Sequence, residues 1–224
     1  SAWEGFNFFS KHLNRNVADA MSPVFLSAVE HIDCLSDETR HGFIEMYLVL
    51  LIYVITNPIP VYIPAFYKYA SNQDRATFMR EIGHRIKTMK DDSIEIWWNS
   101  WLQKYMKNLI DNRPVRPSEE ELREVLYWLP YANSYFVEVV RMLCKIKLPD
   151  KVDGLFLHSL DSSDVVSKYS TSTVLILTKL LNSGNTFDFH QTYIKSIVSK
   201  LQDVGDKEMN AFKEALLKNN ICMD

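Results

Sequence analysis

Three groups of residues in this chain have types and spacings that could do chemistry. His31 and Cys34 share a helix face at i, i+3, and His41 follows soon after. Zinc needs three or four ligands converging tetrahedrally. Two near ligands and a distant third fall short of that, so these are read as ordinary helix residues and no metal is expected. Arg75, Arg80, His84, Arg85, Lys87 and Lys90 form the one basic stretch, with Arg80, His84 and Lys87 on one helical face. Such a stripe could neutralise phosphates. Against 25 basic residues the chain carries 28 acidic ones, a net charge of -3. A solvated face is therefore the expectation, and nucleic acid is not the expected partner. Trp97, Trp98, Trp101 and Tyr105 repeat at helical spacing, and Trp128 follows on the next helix. Indole rings bury large areas. The stripe fits a core seam between two helices or, as the rival, an aromatic groove for a partner protein.

No phosphate-binding glycine loop, dinucleotide fingerprint or nucleophile elbow occurs. The acid runs Asp91-Asp92 and Glu119-Glu120-Glu121 sit at expected helix starts, where the helix dipole accounts for them. The remaining histidines, His12, His158 and His190, are scattered. No catalytic or cofactor residue is assigned, and no cofactor is expected. The expectation is a non-enzyme. The rival is a helical enzyme whose site is assembled from dispersed residues, or a helical nucleic-acid binder using residues 75–90. Cys34, Cys144 and Cys222 are odd in number, far apart and never in a C-x-x-C pair, which argues against a disulfide framework and for the reducing cytosol.

The elements that would position these residues are helices. Apolar side chains recur at three- and four-residue spacing nearly throughout, and strand-like alternation is scarce. The chain has only 6 glycines and 8 prolines, few for a loop-rich β protein. The pattern predicts helices over about 3–13, 23–32, 36–55, 64–69, 72–89, 94–110, 118–129, 134–146, 151–160, 172–181, 188–204 and 206–218. Ser36 and Ser118 read as N-caps, the latter in a capping box with Glu121. Asn72 or Asp74 opens the helix over 72–89. Gly184 and Gly205 sit where C-caps belong. Met46 to Tyr67 carries no charge and is long enough to span a bilayer. Pro58, Pro60 and Pro64 break it, so it reads as a buried core helix and no membrane is expected. The fold expected is all-α: an irregular multi-helix array, solenoid-like or a compact bundle. It is read as one domain over 1–224 with a soft boundary near 112–117. The opening Ser1-Ala2-Trp3 suggests a C-terminal piece of a longer protein.

The stretch Trp97-Trp98-Asn99-Ser100-Trp101-Leu102-Gln103-Lys104-Tyr105, then Arg113-Pro114, Glu120-Glu121-Leu122 and Tyr127-Trp128-Leu129-Pro130, resembles a helical domain of unknown function. That domain lies C-terminal to sirtuin-like domains in bacterial proteins of the phage-defence type. The resemblance covers roughly Ile94 to Ile146. Lys104 and Lys107 stand where arginine is commoner in that family. The resemblance implies a cytoplasmic, non-catalytic sensor or regulatory module attached to an NAD-consuming effector. Its partner would be a protein or another domain of the same chain. It carries over no catalytic residue.

Overall fold

The computed structural model describes residues 31–44, 68–110, 117–187 and 190–221, all-α and with no strand among them. After a 3-10 turn at Ile32–Cys34 come α1 (37–44), α2 (Asn72–Ile86), α3 (Asp91–Trp97) and α4 (Gln103–Ile110). Then follow α5 (Glu119–Trp128), α6 (Phe136–Leu143), α7 (Gly154–Asp161), α8 (Val165–Lys168), α9 (Ser170–Asn182), α10 (Gln191–Lys200) and α11 (Asp206–Lys218). The helices expected over 3–13 and 23–30 and the uncharged run Met46–Tyr67 lie outside the described residues. No described helix is long and apolar enough to cross a membrane.

The helix ends follow local chemistry. Ser36 Oγ accepts the Thr39 N–H at 3.3 Å, capping α1. At α2 the cap is Ser71, not Asn72 or Asp74. The Asp74 N–H donates to Ser71 Oγ at 3.1 Å, and the Ser71 N–H donates to Asp74 Oδ2 at 2.9 Å. This is a reciprocal box that satisfies two otherwise orphaned donors. Ser118 Oγ accepts the Glu121 N–H at 3.1 Å, as its spacing implies. Gly184 follows α9 at φ +103, where a side chain would be strained. Its N–H donates to Leu181 O, and that of Asn185 donates to Leu180 O, closing a Schellman end. Asn220, at φ 56, closes α11 in the same way. Gly205 corrects the sequence reading. It is the extended N-cap of α11 (φ -61, ψ 147), because α10 already stops at Lys200.

Between α3 and α4 the chain takes a π turn over Trp98–Leu102, in which the Gln103 N–H donates to the Trp98 carbonyl. The sequence pattern explains it. The buried positions run Trp97/Trp98, Trp101/Leu102, Tyr105/Met106, Leu109/Ile110, a repeat of four residues. An α-helix advances about 100° per residue, so a strict four-residue repeat drifts about 40° at each step. The wider turn absorbs one residue and keeps all four pairs on the buried side.

The described residues fall into two compact units, one within Ser1–Ile82 and Asp92–Glu121, the other Gly83–Asp91 and Leu122–Asp224. Most of the expected soft boundary, 112–117, lies outside the described residues. In the first unit the aromatic stripe packs beside a buried polar group. Arg75 and Glu121 are 2% and 0% exposed, with Arg75 Nε 3.3 Å from Glu121 Oε2. Arg75 also donates to the Ala70 carbonyl at 2.9 Å and to Asn72 Oδ1 at 2.5 Å. The Tyr105 hydroxyl lies 3.5 Å from Glu121 Oε1. In the second unit the core is aliphatic. α9 packs on α6, α8 and α11, and α7 packs on α10. Val139, Val140, Leu157, Val174, Leu177, Leu180, Ile194 and Leu216 are buried there. Its one clamp is Asn185, 3% exposed, which donates to the Pro149 and Leu180 carbonyls and accepts the Val152 N–H at 2.7 Å.

Candidate functional site

Trp97, Trp98, Trp101, Tyr105 and Trp128 are all buried. Within the first unit the rings of Trp97 and Trp101 lie 5.4 Å apart. Phe78 meets Tyr105 edge-on at 5.2 Å and Trp101 at 6.1 Å. The four aromatics of this unit are therefore interior rather than lining an open groove. Trp128, in the second unit, buries its indole Nε1 without a hydrogen-bond partner. Such an orphan donor costs about 1–3 kcal/mol.

The basic stretch is not one surface. Arg75 is interior, bonded as described above, and cannot reach a phosphate. Arg80, His84 and Lys87 are exposed. In the second unit, Lys87 Nζ stands 5.3 Å from the Tyr131 ring centroid and 5.7 Å from that of Tyr127. These are cation–π distances. His84 meets the Tyr127 ring edge-on at 6.3 Å. Tyr131 and then Tyr127, which also lies 3.5 Å away through its hydroxyl, raise the Lys87 ammonium above its usual range. Asp91 accepts a bond from Asn133 beside this patch. The patch therefore joins an exposed cation and imidazole to two half-buried phenols.

His31, Cys34 and His41 are exposed. Among the described residues no group of three or more His, Cys, Asp or Glu could hold a metal ion. Cys144 is half-buried, and burial pushes its thiol up, against the pull of Lys179. A raised thiol is a poor nucleophile at neutral pH.

One constellation had no local signal in the sequence. In the second unit an open cleft of about 710 Å³ is lined by Gly154, Leu155, His158, His190, Thr192 and Tyr193. Asp153 caps α7 through Leu155 N and Phe156 N, so α7 begins at the glycine. Asn185 fixes the approach by holding Val152. His190 precedes α10. Its N–H donates to the Phe187 carbonyl at 2.8 Å, and its carbonyl accepts from Tyr193 and Ile194. Phe187 itself holds φ 51, uncommon for an aromatic residue. Tyr193 is stacked on His190 at 6.2 Å and met edge-on by His158 at 5.6 Å. The two histidines come from helices far apart in sequence, which is why spacing did not join them. The only local hints were the Asp153-Gly154 start and the i, i+3 pair His190/Tyr193.

No family model, curated protein or solved structure matches the chain.

Proposed function

We propose that this chain is a non-catalytic helical interaction module of a larger bacterial protein, regulating an NAD-consuming, sirtuin-like effector in the cytoplasm. The observation that carries the reading is the patch of His84, Lys87, Tyr127 and Tyr131. Interface hot spots are rich in tyrosine, whose ring packs while its hydroxyl stays wet. A cation fixed over two such rings suits a protein surface that offers a carboxylate within an apolar rim. The resemblance around Trp97 to Pro130 supports the link to the effector. Its tryptophans are buried in the fold, which leaves recognition to other residues.

The test is NAD consumption by the chain alone, by the sirtuin-like domain of its full open reading frame, and by both together. The chain alone should turn over no NAD, and adding it should change the effector's rate. Lys87→Glu with Tyr131→Ala should remove that change while the melting temperature stays put. Turnover by the chain alone, lost on a point mutation within it, would establish the enzyme instead. An effector that neither binds nor responds would overturn the proposal.

A further inference from the structure

We propose that the cleft between α7 and α10 binds a small organic oxyanion, a carboxylate or phosphate carried on an apolar body. It is separate from the Lys87 patch and does not depend on the reading given for that patch. The first argument is unspent hydrogen-bonding capacity. Both imidazoles, the Tyr193 hydroxyl and the Thr192 hydroxyl make no hydrogen bond to another described residue. Each can donate one proton to an oxygen even when the histidines are neutral. No carboxylate lines the cleft. The neighbouring acid, Asp153, has Oδ1 committed to the Leu155 and Phe156 N–H groups. Four donors without an opposing anion suit an oxyanion, and hydrogen bonds to a charged group are the stronger kind.

The second argument is that the site is built. A Cβ at position 154 would lie 2.7 Å from His190 Nε2 and overlap the ring, so glycine lets the imidazole settle against the helix start. The His190 backbone is tied at both its N–H and its carbonyl while its ring stays unspent. Leu155 is 59% exposed at the edge of the same cleft, an apolar wall beside polar rings. The volume is in the range of small-ligand sites.

The experiment follows the His158 and His190 ring signals by NMR in the full chain. The probes are benzoate, phenyl phosphate, inorganic phosphate and benzyl alcohol. Benzoate or phenyl phosphate should shift both signals saturably, and the tighter of the two identifies the anion. Benzyl alcohol, with the same body and no charge, should bind at least about tenfold more weakly. Inorganic phosphate should also be weaker, because Leu155 then covers nothing. Tyr193→Phe keeps the ring and removes one donor, and should weaken the tighter probe about tenfold with the circular dichroism unchanged. Gly154→Ala should displace His190 and weaken it further. Shifts that do not saturate, benzyl alcohol binding as well as benzoate, or Tyr193→Phe binding unchanged would each overturn the proposal.

Discussion

The two units solve the burial problem in opposite ways. The first buries indoles, a phenol and a charged pair, and its interior polar groups satisfy one another: Arg75 meets Glu121, Asn72 and the Ala70 carbonyl. The second buries Leu, Ile and Val along α9 and leaves its rings with polar tips, His158, His190, Tyr193, Tyr127 and Tyr131, at least partly exposed. Buried polar groups must be paired, which fixes them and removes them from binding. The aliphatic core makes no such demand, so the polar rings around it remain available to a ligand. The more eye-catching sequence feature, the tryptophan stripe, is thus structural, and the scattered histidines are the better candidates for recognition.

The contrast can be broken most severely at its charged centre. Glu121→Ala would leave Arg75 buried without its anion and should cost about 3–5 kcal/mol in urea unfolding. The double change Arg75→Met with Glu121→Leu should recover most of that loss, since an apolar pair of similar volume is often as stable. Trp101→Ala should cost about 3–5 kcal/mol and Leu177→Ala about 2–5 kcal/mol. Near-equal losses would show that indole and aliphatic cores are worth the same per site. A smaller effect is expected at the caps. Ser71→Ala and Asp153→Ala should each cost about 1 kcal/mol, and only the second should also disturb the His190 ring signal. The smallest effect is on pH. Burial raises the Glu121 carboxyl above its ordinary 4.5, although Arg75 pulls it back. The group ionises less readily in the fold than in the unfolded chain. It therefore favours the fold fully below that ordinary value and loses the contribution as pH rises through the raised one. Glu121→Gln should flatten this decline in urea midpoint from pH 4.5 upward.

The helical class was legible because periodicity is a local property, and so were Ser36, Ser118 and Gly184, whose roles depend on neighbours within a few residues. Gly205 was misplaced because it lies between two helices and a glycine can end one or precede the next. Ser71 was missed although Ser71-x-x-Asp74 is a capping box, because two other capping residues follow it immediately. Arg75 was read as surface because its anion, Glu121, is 46 positions away. His158 and His190 meet at Tyr193 only through the packing of α7 on α10, and no spacing rule encodes that meeting. The four-residue repeat around Trp101 was visible and pointed to the wide turn, but a helical reading takes 3.6 and 4 as the same signal.

That turn also makes the segment sensitive to length in a way that composition is not. Asn99 and Ser100 sit in it with exposed side chains. Removing either one would let the backbone relax into an uninterrupted α-helix, locally an easier structure. It would also rotate everything after it by about 100°. Tyr105, Leu109 and the tyrosine's approach to Glu121 would swing away from the core. The exposed residues there can therefore be exchanged freely but not omitted: their identity is neutral, and their number sets the phase between the two halves of the helix.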